Sequence, residues 1–376
     1  VESEESYYNG VRPICRVITS QGLTFAGTYN HKLLIHENGK NIWKEISKIK
    51  SGDRILIDKS YRWHNGDFQC TVDESYTLGA MIGDGSWTVN THLRFATLDE
   101  EIINIIRSTG LKFNKSSDNV HYNMYKKKEV KKWLNKWGLK EKCYTIDKVL
   151  PETIMSASRE KMTACLQGLY DTDGHVFVSD VKGGLAASIG FTNTSKTLVE
   201  QMQYILLHYG IVSNLRWRDR NEKWNRCYEL GIYGVNVKLF CERIGFRLKR
   251  KQDKLQNAVN QKKRWISNIN GIPVDKEDMV IAFNQGSKVP QKFSPSKIRK
   301  RKTIQYNYLR EFLNYVDCPK LEDLCKEETY YDTVQEIQYE NSQDTYDMHV
   351  PTTHKYIANG FISHNSKIRA CERPLL

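Results

Sequence analysis

The sequence predicts a multidomain protein: an α/β domain made of two αββαββα halves, framed by strand-rich segments from both ends of the chain. Three observations carry this expectation. Two apolar runs end in Asp-Gly, TLGAMIGDG at 77–85 and LQGLYDTDG at 166–174. Each is followed, in the same order, by strand-like and helix-like stretches. The segments 22–57 and 345–365 read as short strands separated by turn residues.

The two apolar runs place small residues four apart, Gly79 with Gly83 and Gly168 with Thr172. On a helix these share a face, so two such helices can approach closely along it. Glycine inside a helix costs up to about 1 kcal/mol relative to alanine, so two in one short run require a packing reason. The duplication continues downstream. EEIINIIRSTGL, ending near Gly110, corresponds to TLVEQMQYILLHYGI, ending near Gly210, and VKKWLNKWGL (130–139) aligns without gaps to VKLFCERIGF (237–246). Strand-like runs such as HLRFAT, ASIGFTNT and RCYELGIYG lie between them. A duplicated unit joined through a close helix pair implies pseudo-two-fold symmetry. A single Asp-Gly after an apolar helix is ordinarily a helix end and a turn; two in register with matching helices are not explained that way.

This pattern, over about residues 75–255, resembles the LAGLIDADG homing endonucleases. The second copy keeps L-x-G-L-x-D-x-D-G intact, while the first has Ile82 at the first acidic position. The resemblance implies that Asp84 and Asp173 end the two central helices side by side beneath double-stranded DNA and hold Mg²⁺. It also implies a lysine beside each acidic centre, for which Lys148 of KVLP and Lys251 of KQDKL are the matches. Magnesium takes oxygen ligands and keeps several waters, so one carboxylate from each half plus DNA phosphates suffices. Paired divalent ions can activate water and clamp both reacting oxygens of a phosphodiester.

Bulk composition agrees with a soluble globular chain of 376 residues, 39% hydrophobic and 27% charged. No apolar run approaches the roughly 20 residues needed to span a bilayer, so no membrane partner is expected. The nine cysteines include no C-x-x-C pair and are expected to be reduced thiols of a cytoplasmic protein. The net charge of +13 is concentrated: residues 247–302 hold sixteen Lys or Arg against four Asp or Glu, a net of +12. Such a stretch suits a phosphate backbone, and on charge alone a solvated face suits it equally.

The C-terminal segment TYDMHVPTTHKYIANGFISHNS, 345–366, carries different chemistry. An asparagine amide can attack its own backbone carbonyl, closing a succinimide and breaking the following peptide bond. The reaction needs an oriented amide and a proton for the leaving nitrogen. His364 adjoins Asn365, His354 lies ten residues earlier, and Ser366 offers a hydroxyl nucleophile after the asparagine. Over 331–366 the segment resembles the C-terminal splicing blocks of inteins, which implies a role for Asp347 in ester exchange. GLTFAGTYNHKLLI (22–35) resembles the intein T-x-x-H block, with Thr28 and His31 acting at the upstream junction. WKEISKIKSGDRILI (43–57) resembles the strand that follows it. The fold implied is an all-β horseshoe (the Hint fold).

Three segments are therefore expected: a splicing domain from 1–70 and 328–365, a LAGLIDADG endonuclease at 71–255 with repeats 75–150 and 163–255, and a basic segment at 256–327 that is either extra DNA contact or a linker. Residues 366–376 would begin the downstream host sequence. The resemblance also implies a Cys- or Ser-led block ahead of Val1, supplied as a separate N-terminal intein piece or removed; Cys15, inside a strand-like run, is no substitute. Partners would be DNA, that piece and the flanking host sequences. Two rival readings remain: a splicing element with a relic endonuclease, and a DNA-binding relative that neither splices nor cuts.

Overall fold

The computed structural model describes residues 5–60, 66, 68–87, 92–181, 184–219, 226–261, 271–326, 328–350 and 353–365. The chain divides into two compact units, residues 61–266 and, from both chain ends, 1–60 with 267–376.

The central unit repeats one pattern twice. In the first half, helix Val72–Asp84 leads to strands Gly85–Ser86 and Leu93–Ala96, helix Glu100–Ser108, strands Asn114–Lys115 and His121–Met124, and helix Lys127–Trp137. In the second, helix Arg159–Thr172 leads to Gly174–Val181 and Gly184–Asn193, helix Lys196–His208, Asn214–Arg218 and Cys227–Tyr233, and helix Val235–Arg243. Each half therefore reads αββαββα, and both four-stranded sheets have the same order, with the fourth strand of the half placed between the second and third. One helix, Lys249–Gln261, follows the second half.

The leading helices form the seam. Helix Val72–Asp84 starts with a capping box: the Thr71 hydroxyl accepts from Glu74 N–H at 3.1 Å, and the Glu74 carboxylate accepts from Thr71 N–H at 2.8 Å. Its small residues then face the partner helix. A Cβ added at Gly79 would collide with the Cys165 carbonyl, one at Gly168 with the Tyr76 carbonyl, and one at Gly83 with the Thr172 hydroxyl. Larger side chains at these positions would hold the helices apart. Around the seam Leu78, Ile82, Leu166, Leu169 and Tyr170 join one core with the strands and outer helices of both halves.

The terminal unit contains an eight-stranded sheet. Along it run Lys355–Ala358, Phe361–His364, Lys32–Glu37, Arg54–Asp58, Thr329–His349, Glu5–Thr19 and Thr24–Thr28, while Lys40–Glu45 pairs beside Lys32–Glu37. The long strands Glu5–Thr19 and Thr329–His349 pair antiparallel from Glu5 opposite His349 to Thr19 opposite Val334.

The segment expected at 256–327 as one piece is divided. Its first residues continue helix Lys249–Gln261 of the central unit; Trp265 and its neighbours at 262–270 lie outside the described residues. Residues 271–325 are no linker: helices Lys276–Gln285, Pro295–Arg299, Tyr306–Leu313 and Pro319–Leu324 pack around Phe293, Ile298, Leu309 and Phe312. Leu56 and Tyr331 of the sheet join this core. The Arg54 guanidinium ties the two parts together, donating to the carbonyls of Gly271 at 2.7 Å and Tyr331 at 3.0 Å. The terminal unit is thus a β-sheet with a helical lobe; the dense charge of 247–302 concealed the apolar periodicity that builds the lobe.

Candidate functional site

Asp84 closes the first central helix and Asp173 caps the second. The close approach of the helices sets the two carboxyls near enough for each to feel the other's charge. Desolvation by the packing around them, and then Asp173 itself, push the Asp84 carboxyl up to about 6, although its outer edge is open to solvent. Burial also raises Asp173, against the pull of Asn193, Lys148 and Lys251.

Both sequence-matched lysines are buried and cap helix C-termini. Lys148 Nζ donates to the carbonyls of Gly83 at 2.6 Å and Gly85 at 2.8 Å, on either side of Asp84. Lys251 Nζ donates to the carbonyls of Tyr170 at 2.9 Å, Asp171 at 2.6 Å and Gly174 at 2.5 Å, around Asp173. A cation there also complements the negative end of the helix dipole. Burial lowers both lysine pKa values, that of Lys251 to about 8.

Three neighbours escaped the sequence reading. Asn193 donates its side-chain N–H to Asp173 Oδ2 at 2.8 Å. Ser195 donates its hydroxyl to the Lys148 carbonyl at 2.6 Å. Asp171, the first acid of the second motif, belongs to the framework. Its Oδ2 accepts from the Tyr76 hydroxyl at 2.7 Å and from the N–H groups of Arg247 at 3.2 Å and Leu248 at 3.0 Å. It thereby ties both central helices to the start of helix Lys249–Gln261, which carries Lys251. Asn193 and Ser195 stand in no motif, and the repeat sets Thr97 opposite Asn193, so the sequence offered no signal for either; Asp171 stands in the second motif, where nothing local marks it as a framework acid.

The donor set fits a hard divalent cation. Two neighbouring carboxyls, both raised by burial, form a site short of positive charge, which such an ion would supply. Among the described residues no group of three or more His, Cys, Asp or Glu side chains converges, so water and phosphate oxygens would complete the shell.

In the terminal unit the described members of the second constellation come together. Asn365 is buried, and its N–H donates to the His354 carbonyl at 3.2 Å. Its side-chain amide is satisfied with the nitrogen donating to His354 O at 3.0 Å and the oxygen accepting from Val350 N–H at 3.1 Å. His364 Nδ1 lies 2.6 Å from the Asn365 carbonyl oxygen, so the ring nitrogen is the donor. The His354 and His364 rings stack at 6.2 Å, and Trp43 meets His364 edge-on at 5.0 Å. His354 adopts φ +50°, a left-handed backbone uncommon outside glycine. A cleft of about 660 Å³ is lined by Thr28, His31, Asp347 and Tyr356, with Arg12 and Asp344 further along. His31 Nε2 is buried without a hydrogen-bond partner among the described residues; burial depresses the ring to about 4, Asp347 opposes that and His364 adds to it. Ser366 lies outside the described residues.

Residues 160–245 match the model of the LAGLIDADG-like domain family. Among curated proteins, the chain is 22% identical to the replicative DNA helicase DnaB of Rhodothermus marinus, across 96% of this chain and 41% of that protein. It is 27% identical to the ATP-dependent DNA helicase Hel308 of Methanocaldococcus jannaschii, across 65% of this chain and 21% of that protein. It is 24% identical to the glutamine–fructose-6-phosphate aminotransferase of the same organism, across 77% of this chain and 27% of that protein. The chain thus spans less than half the length of these relatives. Among solved structures, the homing endonuclease I-DmoI in complex with DNA and Mn is 18% identical over 46% of this chain and 96% of that one, with a TM-score of 0.31. No helix among the described residues is long and apolar enough to cross a membrane.

Proposed function

We propose that the chain is an intein: a protein-splicing element that carries a Mg²⁺-dependent, site-specific double-strand DNA endonuclease. The observation that carries the endonuclease is the Asp84–Asp173 pair, one carboxyl from each half, with a buried lysine locking each helix end. The relatives support the insert reading, since a helicase and an aminotransferase, with unrelated activities, both align to most of this chain and to a minority of themselves.

Bound Mg²⁺ would activate water and neutralise charge at the scissile phosphate. Asp84 and Asp173 would hold it, and Lys148 and Lys251 keep the carboxyl-bearing helix ends in place. Asp84→Asn and Asp173→Asn should each lower cleavage more than about a hundredfold, beyond the usual effect of an outer-shell partner, while duplex affinity measured in Ca²⁺ stays close to wild type. Full cutting by the double variant would exclude this role.

In splicing, the Asn365 side-chain nitrogen attacks the Asn365 carbonyl carbon. The carbon–nitrogen bond to residue 366 breaks, and a proton passes to the leaving nitrogen. His364, donating to that carbonyl oxygen, polarises it for attack. Thr28, His31 and Asp347 face the cleft where the upstream junction and its ester exchange onto Ser366 would be handled. A Cys- or Ser-led N-terminal intein piece supplied in trans should support ligation. With Asn365→Ala, release of the segment after residue 365 should stop and a branched ester at Ser366 accumulate. Mass spectrometry reads both; unchanged release in that variant would reject the cyclisation step.

A further inference from the structure

Among the described residues, the hydrogen bond from Asn193 to Asp173 has no counterpart at Asp84. Asn193 is buried at the end of strand Gly184–Asn193 and donates to Asp173 Oδ2 at 2.8 Å. Its oxygen accepts from Ser195 N–H at 2.9 Å, which settles which end of the amide faces the carboxylate. Ser195 in turn caps helix Lys196–His208 by accepting from Leu198 N–H at 3.2 Å, and donates to the Lys148 carbonyl at 2.6 Å. Lys148 Nζ reaches the carbonyls on both sides of Asp84. One relay of hydrogen bonds therefore runs from the Asp173 carboxylate to the backbone around Asp84.

In the first half, Phe95-Ala96-Thr97 stands where Phe191-Thr192-Asn193 stands in the second, two residues before the helix-capping positions Asp99 and Ser195. Thr97 keeps the turn bond, accepting from Asp99 N–H at 3.0 Å. Thr97 has no amide to extend toward Asp84.

We infer that Asn193 is a positioning residue that orders the Asp173 carboxylate, and that its replacement by Thr97 in the other half makes the two strands of a duplex break at unequal rates. This rests on the DNA-cutting reading. A buried amide that merely satisfies its own polar atoms would change stability when replaced and leave the ratio of the two strand breaks alone.

The probe is a duplex recovered by the wild-type chain with Mg²⁺ from a randomised library, its strands labelled separately. Wild type should show a nicked intermediate in one preferred strand. Asn193→Thr, which retains a hydroxyl for the Ser195 turn, should slow the faster strand about tenfold or more and narrow the difference. Water-proton relaxation, during Mn²⁺ titration of the complex with a non-hydrolysable duplex, should show one ion bound about tenfold more weakly. Thr97→Asn approaches from the other half and should raise the slower strand relative to the faster. Equal slowing of both strands with an unchanged Mn²⁺ isotherm, or no change in ratio with Thr97→Asn, overturns the inference and leaves the endonuclease standing. If wild type recovers and cuts no duplex, the endonuclease reading falls and this inference with it.

Discussion

The carboxyl pair Asp84–Asp173 and the buried asparagine Asn365 differ in how their parts are gathered. The carboxyls, their lysines and Asn193 come from five separate segments of the central unit, and the close seam of Gly79, Gly83 and Gly168 holds together the helices that end at the two carboxyls. At Asn365 most of the chemistry is local: His354, His364 and the amide lie within twelve residues of a strand pair, with Trp43 closing one side. A site assembled through packing should fail when distant packing is disturbed. A site assembled through sequence neighbours should fail only when those neighbours change.

The largest effect should appear at the local site. His364→Ala removes the donor 2.6 Å from the Asn365 carbonyl, and release of the downstream segment should slow about 10²–10⁴-fold, the usual range for a positioned acid or base. Time-resolved mass spectrometry measures it, and DNA cutting should be untouched. An unchanged release rate would mean that the strand geometry alone drives cyclisation.

At the packed site the corresponding break is remote from the carboxyls. Gly79→Val forces a branched side chain against the Cys165 carbonyl and should cost about 3 kcal/mol or more by overpacking. For a unit of this size that lowers the melting temperature by roughly 6–12 °C, and cutting should fall with it. Calorimetry that shows no loss would remove the small-residue seam as the reason the carboxyls meet.

A smaller effect separates catalysis from stability. The folded Asp84 carboxyl sits at about 6 rather than 3.8, so the folded state binds a proton more tightly than the unfolded chain. That contribution is complete below about 4 and is lost as pH rises through about 6. Without divalent ions, Asp84→Asn should therefore raise the melting temperature at pH 7.5, and the gain should vanish near pH 4. A gain that is equal at both pH values would show that the carboxyl pair is not what titrates.

The smallest effect concerns the basic stretch. Lys254, Lys297, Lys300 and Lys302 are exposed. If they touch phosphates, neutralising all four should flatten the slope of log affinity against log salt by roughly 0.9 for each phosphate left unneutralised. An unchanged slope would assign them to a solvated face.

The sequence by itself determined the duplicated αββαββα order, the helix-ending aspartates and the strands flanking the His-Asn terminus, because periodicity, small-residue spacing and repetition are local properties of the chain. It also marked Lys148 and Lys251, though only through their likeness to family motifs. Tertiary structure decided what those side chains touch. The lysines meet helix-end carbonyls because a buried charge needs acceptors and helix ends leave carbonyl oxygens unpaired. Asp171, a motif position, became a framework acid rather than part of the carboxyl pair, and Asn193, which no motif marks, became the donor to Asp173. The 271–325 lobe was hidden for the same reason: its lysines dominate the composition, while Phe293, Ile298, Leu309 and Phe312 acquire meaning only when Leu56 and Tyr331 of the sheet complete their core.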